Sequence, residues 1–220
     1  MKPNDSKEFA AGAVARSILA EPHGAMNLES VWSRAGAESV LSGRLTDPPI
    51  TTLKELTFPD RAWDNQPWPS EHVLERGQCL SDCHLLAIAV HDCAWLQQMH
   101  QVWEDAPVAF EWRLLSQLQI GLGLRPQGLQ PRVWTQDDSD FLIEADALER
   151  DTPAGRAWVA LAAGDARAAQ IAVGEYRAEL ERWQNGWNDA VGEGVRRILG
   201  YPGRVLRVEL RALQALLSGV

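Results

Sequence analysis

The sequence predicts a mainly α-helical fold, a compact domain of about seven or eight helices. Apolar residues recur every three to five positions, mostly every four, over residues 171–198 and again over 206–217. This spacing is typical of one face of an α-helix. Helix-start signals occur at Ser81 and at Thr152, which Pro153 follows, because a hydroxyl caps the first turn and proline suits its first position. With 220 residues, 45% of them hydrophobic, the chain is long enough to bury a core without disulfides or metal ions.

Two helices are predicted at the start of the chain. The first extends from Asp5 or Ser6, either of which suits a helix cap, to about Leu19. The second extends from Asn27 to about Leu41, and its apolar residues recur at helical spacing. We expect both helices to bury one apolar face.

The segment Ser42–Pro69 is predicted to form an ordered loop rich in proline and tryptophan. Its five prolines prevent one long helix, since each removes a backbone donor and restricts the residue before it. Only Thr52–Phe58 fits a helical turn or a short strand. Trp63 and Trp68 argue against disorder, because disordered segments are poor in aromatic residues.

A strong helix is predicted over Asp82–Glu104, and the segment after it is ambiguous. In Val108–Leu122 apolar residues recur every four positions, as in a helix, but over Val108–Leu114 they alternate, as in a strand. A preceding proline favours the helix. Gly121–Pro131 is interpreted as a linker, and Arg132–Gln136 as a short strand that would be the minor β element of the fold.

The rest of the chain is predicted to be helical. On the longest of these helices, Trp183 and Trp187 lie four residues apart on the apolar face, so we expect both in the core. We expect a single domain over residues 1–220, with 121–131 as the place where an internal linker would fall. The predicted helices extend over about 139–150, 152–164, 166–199 and 206–217.

Charge and cysteine content exclude several classes of function. Asp and Glu number 30 and Lys and Arg 21, which gives a net charge of −9 and a surface that repels nucleic acid. No apolar stretch approaches the length of about 18 residues that a membrane span needs, and the first 20 residues do not read as a secretory signal. Three cysteines cannot all pair with one another, and reduced thiols fit the cytoplasm.

One cluster of residues carries the chemistry of a metal or thiol site. All three cysteines and three of the five histidines lie within residues 79–100. Zinc and iron bind thiolates and imidazoles, so Cys79, Cys83 and His84 are the candidate metal ligands. A cysteine at a helix start is also a candidate nucleophile, because the helix dipole stabilises the thiolate. The competing interpretation is that the cysteines are small buried apolar residues and the histidines hydrogen-bonded side chains.

The ten tryptophans are the most unusual feature of the composition. Trp63, Trp68 and Trp134 lie in or beside irregular segments, and indoles dominate the energetics of many protein interfaces. These three are the candidate partner-binding residues. The competing interpretation is that the loop folds back and its tryptophans cover the core.

These observations favour a cytoplasmic, non-catalytic accessory or adaptor protein that binds another protein. The sequence contains none of the common glycine-rich phosphate-binding motifs, zinc-hydrolase motifs or serine-hydrolase motifs. The alternative is a metal- or thiol-dependent enzyme that uses Cys79, Cys83 and His84 with zinc or iron. A third interpretation is a small-molecule pocket lined by tryptophan between helices.

Overall fold

The computed structural model describes residues 13, 15–20, 28–42, 45–57, 73–185 and 202–219. Within these ranges the regular structure is entirely helical, and nine helices have seven or more residues. The prediction of a mainly α fold is therefore confirmed. Among the same residues, no helix combines the length and the apolar character needed to cross a bilayer.

The chain divides into two compact units. The first comprises residues 1–56 and 178–208, and the second comprises residues 57–177 and 209–220. The predicted linker, Gly121–Pro131, lies wholly inside the second unit, so neither unit begins or ends there. The prediction of a single domain over 1–220 stays a prediction.

The first unit is built on α1, Leu28–Ser42, which matches the predicted second helix to within a residue at each end. Trp32 is its largest fully buried side chain. This helix packs against α2, Ile50–Leu56, and against the short α9, Pro202–Val205. Residues 52–56 of the predicted turn or strand therefore belong to a helix that begins two residues earlier, and Phe58 lies outside the described residues.

The second unit has its core among three helices that pack against one another: α3, Val73–Ala89; α4, Cys93–Asp105; and α5, Phe110–Leu124. Their fully buried side chains include Leu80, Ile88, Trp95, Met99, Leu118 and Ile120. The remaining helices follow in chain order. They are α6, Gln136–Glu144; α7, Pro153–Ala162; α8, Ala166–Asn185, which crosses the boundary between the units; and α10, Val208–Ser218.

The single helix predicted over Asp82–Glu104 is wrong, because the chain forms two helices there. The first, α3, begins at Val73, so Ser81 lies inside it and does not cap it. His91 adopts a left-handed backbone conformation, with φ of 54°, between the two helices. Asp92 then accepts a hydrogen bond from the Trp95 backbone N–H at 3.0 Å and caps α4. Such a cap stabilises a helix by about 1 kcal/mol, which favours a new start at this point.

The helical interpretation of Val108–Leu122 is confirmed, and the helix continues into the predicted linker as far as Leu124. Gly121 and Gly123 are helical, and neighbouring groups approach them closely. A Cβ atom at Gly123 would lie 2.9 Å from Ile88 Cγ1, and one at Gly121 would lie 3.0 Å from the Arg132 carbonyl oxygen. Close packing therefore accounts for these glycines, which the sequence suggested were part of a linker.

The predicted strand at Arg132–Gln136 is wrong, because those residues lead into α6. Thr135 and Asp138 form a capping box, in which the Thr135 hydroxyl accepts from the Asp138 N–H at 3.2 Å and Asp138 accepts from the Thr135 N–H at 2.9 Å. The local hydrogen bonds of the capping box therefore start a helix three to four residues before the predicted 139–150 helix.

The helix predicted to start at Thr152 is confirmed. Its hydroxyl accepts from the Gly155 backbone N–H at 3.1 Å, and Pro153 is the first helical residue. The apolar face predicted for the following helix, α8, is only partly correct. Tyr176 and Leu180 are buried, but Ile171 is 58% exposed. Trp183 is half-buried, and Trp187 lies outside the described residues.

Candidate functional site

His84 lies on α3 and is fully buried, where it links three helices. The Trp103 Nε1–H on α4 donates to His84 Nδ1 at 3.2 Å. Since Nδ1 accepts, the ring proton is on Nε2, which donates to Gln119 Oε1 on α5 at 2.9 Å. Burial lowers the pKa of His84 from 6.5 to about 4, against the opposing effect of the Gln119 hydrogen bond, so the ring is neutral at pH 7.

This network leaves the predicted zinc or iron site without geometric support. Both ring nitrogens of His84 are engaged by protein groups, so a metal would have to displace Trp103 or Gln119. Cys79 and Cys83 are buried thiols one helical turn apart. In the part of the chain that the structure describes, no three His, Cys, Asp or Glu side chains are grouped so as to hold a metal ion.

A nucleophilic Cys79 or Cys83 is predicted on the condition that it lies at a helix N-terminus, where the dipole stabilises a thiolate. The structure places neither cysteine there. Because α3 begins at Val73, both cysteines lie one or more turns inside the helix. Both are buried as well, which is the arrangement of small apolar core residues.

The three tryptophans predicted to bind a partner fall in two different places. Trp63 and Trp68 lie outside the described residues. Trp134 is only 6% exposed, and its Nε1–H donates to the Ser139 hydroxyl at 2.8 Å. Its indole is therefore part of the interior of the second unit, beside the start of α6.

Three aromatic residues face outward in the part of the chain that the structure describes, and none of them was predicted to be a site residue: Phe110, Trp112 and Phe141. Phe110 is the first residue of α5, and Phe141 lies on α6. Their rings form an edge-to-face pair, with centroids 5.9 Å apart and an interplanar angle of 67°. Phe110 is 59% exposed and Phe141 41% exposed. Single exposed apolar residues are ordinary, but two aromatic rings in contact form a continuous apolar surface.

The helix that carries Phe141 is acidic. Asp137 and Glu144 are exposed and lie one turn before and one turn after Phe141, hence on the same side of α6. The buried carboxylate of this helix, Asp138, has a different role. Burial alone would raise the pKa of Asp138, but hydrogen bonds from Thr135 and the charge of Arg132 hold it below its ordinary value. Asp138 thus stabilises the start of α6, while Asp137 and Glu144 face solvent.

Comparisons with known proteins identify no relative. No protein-family model matches the chain, and searches of curated proteins and of solved structures found no match either. The functional interpretation therefore depends on the residues of this chain alone. A sequence signal for the site exists, namely an aromatic residue on a helix face that otherwise consists of Asp and Glu. That signal is weak, because an acidic run is more commonly a solvated helix face.

Proposed function

We propose that this protein is a non-catalytic accessory or adaptor protein of the cytoplasm that binds another protein through the Phe110–Phe141 pair. The single observation that carries the proposal is the contact between two exposed aromatic rings on adjacent helices. Aromatic side chains are enriched among the residues that contribute most to protein–protein affinity. The rings are held at the start of α5 and on α6, so little conformational entropy is lost when a partner covers them.

The free energy expected from burying the two rings is large enough for a specific protein contact. Complete burial of a phenylalanine side chain contributes about 1.5–3 kcal/mol relative to its exposure. Since each ring is already partly covered, we expect the pair to contribute about 2 kcal/mol on binding, which meets the usual threshold for an interface hot spot. Trp63 and Trp68 remain predicted partner contacts. The cytoplasmic assignment is supported by the three cysteines, all of them in the described ranges and none in a disulfide.

The test has two stages. A photoreactive amino acid at position 110, introduced in the native host, should crosslink the partner, and the same group at position 171 should not. Ile171 is the matched control, because it is an exposed apolar residue on a different helix. The partner is then purified and titrated calorimetrically with wild-type and variant protein.

The expected result is that Phe110→Ala with Phe141→Ala weakens binding by about tenfold or more, the equivalent of about 1.4 kcal/mol. Ile171→Ala should leave the affinity within about twofold. Melting curves of both variants establish that they are folded. Equal affinities for the double variant and the wild type would overturn the proposal.

A further inference from the structure

The surface beside Phe141, on the α6 side of the Phe110–Phe141 pair, is acidic. Asp137 and Glu144 flank Phe141 on α6, and that helix contains no Lys or Arg. Side chains three or four positions apart on a helix have Cβ atoms about 5–6 Å apart, so Asp137 and Glu144 border the exposed ring of Phe141. On α5, the charged residue at that spacing from Phe110 is Arg113.

The arginines nearest in sequence are directed to other acceptors. Arg132 pairs with the buried Asp138. Arg113 donates to two backbone carbonyls, that of Glu104 at 3.2 Å and that of Val108 at 3.4 Å. Among the described residues of α5 and α6, neither arginine therefore forms an ion pair with Asp137 or Glu144.

We propose that the partner presents a basic amphipathic segment to this surface, with apolar side chains against the Phe110–Phe141 pair and Lys or Arg against Asp137 and Glu144. This inference rests on the proposed function and names the chemistry of its partner. A net charge of −9 draws cationic segments toward the protein over a longer range. A Lys or Arg of the partner also gains from the exposed faces of the two rings, since aromatic faces attract cations.

The test uses two synthetic helical peptides of about 14 residues with the same leucine face. One peptide carries Lys at its polar positions and the other carries Gln. Binding is measured by fluorescence anisotropy in about 50 mM and about 300 mM salt, because surface electrostatics weaken as the Debye length shortens. The Lys peptide should bind at least about tenfold more tightly at low salt, and the difference should narrow at high salt.

Two double variants separate a local from a general charge effect. Asp137→Asn with Glu144→Gln should weaken binding of the Lys peptide by about threefold or more and leave the Gln peptide unchanged. Asp151→Asn with Glu181→Gln removes the same amount of charge from exposed positions elsewhere in the chain. This variant should bind both peptides with the affinity of the wild type. Equal responses of the two variants, equal affinities of the two peptides, or binding of neither would overturn the inference.

Different results would overturn the proposed function and the basic-segment inference. If a partner crosslinks at position 110 and binds through a segment without Lys or Arg, protein binding stands and the basic-segment inference is overturned. If removal of both phenylalanines leaves the affinity of the partner unchanged, the surface itself is wrong. Phe110→Ala with Phe141→Ala should weaken the Lys and Gln peptides alike, since both place leucines on the rings.

Discussion

His84 has two hydrogen-bond partners from helices that are distant in sequence. Trp103 donates to one ring nitrogen and Gln119 accepts from the other, and the imidazole is fully buried. A buried polar group without a partner costs about 1–3 kcal/mol, so the three side chains stabilise the fold only as a complete set. The same set fixes the tautomer of the ring and holds α3, α4 and α5 in one register.

Replacing His84→Leu should lower the free energy of unfolding by about 3 kcal/mol, because Trp103 and Gln119 would lose their buried partner. Urea denaturation measures the change. His91→Asn is the control, since His91 is exposed and asparagine tolerates its positive φ, and it should change stability by less than about 0.5 kcal/mol. Equal stabilities of His84→Leu and wild type would show that the network contributes nothing.

The pKa of His84 also predicts how stability varies with pH. In the unfolded chain the ring has its ordinary pKa of 6.5, and in the folded chain the pKa is about 4. Between these values the unfolded state binds a proton that the folded state excludes, so acid favours unfolding. Stability should be fully retained above pH 6.5 and should fall by about 3 kcal/mol as the pH decreases to about 4.

The measurement is urea denaturation at intervals across that pH range. Carboxylates titrate in the lower part of the same window, so the informative quantity is the difference between wild type and His84→Leu. Between pH 6.5 and pH 5 the His84→Leu variant should not lose stability as the wild type does. Carboxyl groups of ordinary pKa are still ionised in this range. Identical pH profiles would mean that folding does not lower the pKa of His84, contrary to its burial.

The effect on stability of replacing a helical glycine depends on the atoms around it as well as on helix propensity. At Gly155 in α7, an added Cβ would lie 2.1 Å from the Glu149 carbonyl oxygen, where the chain turns back toward the cap at Thr152. At Gly174 in α8, an added Cβ would meet no atom within 4 Å. Substitution by alanine is therefore expected to lower the stability of the protein at Gly155 and to raise it at Gly174.

Gly155→Ala should destabilise the protein by about 2 kcal/mol or more, because the contact is with backbone that cannot move without disturbing the start of α7. Gly174→Ala should stabilise it by up to about 1 kcal/mol, since alanine restricts the unfolded chain and favours helix. Thermal melts monitored by circular dichroism compare the two. A Gly155→Ala protein that melts at or above the wild-type temperature would contradict the packing described here.

The break between α3 and α4 illustrates how an element ends. The apolar spacing of residues 82–104 continues through the break, yet the chain turns at His91 and restarts at Cys93. Asp92 supplies the cap, and the turn allows Trp95 to pack in the core, where its Nε1–H donates to the Thr57 hydroxyl at 2.9 Å. Helical spacing alone does not reveal such a break, because two helices can bury residues with the same period.

Across the protein as a whole, stability is independent of covalent crosslinks. All three cysteines lie in the described ranges as thiols, and two of them are buried in α3. A reductant should therefore leave the urea midpoint and the melting temperature unchanged, because no disulfide is present to be reduced. The comparison is made with and without dithiothreitol under otherwise identical conditions. A lower midpoint with the reductant would show that a disulfide contributes to stability.

The sequence by itself determined the fold class and those helix ends that depend on short-range chemistry. Thr152 and Pro153 start α7 because a hydroxyl cap and a fixed proline φ act within one turn. The helicity of Val108–Leu122 follows from local spacing, although the helix begins at Phe110, three residues after Pro107. The capping box of Thr135 and Asp138 is equally local and is present in the sequence, although a short strand is the prediction for Arg132–Gln136.

Only the tertiary structure decided which side chains are buried, which are exposed, and which meet. His84 and Gln119 are 35 positions apart, and no local rule pairs them. Trp134 was expected at a surface and is buried, whereas Phe110 and Phe141 face outward and contact each other. The physical reason is that burial depends on how the faces of separate helices pack together. Residue type and spacing within one helix specify a face, but not the surface that covers it.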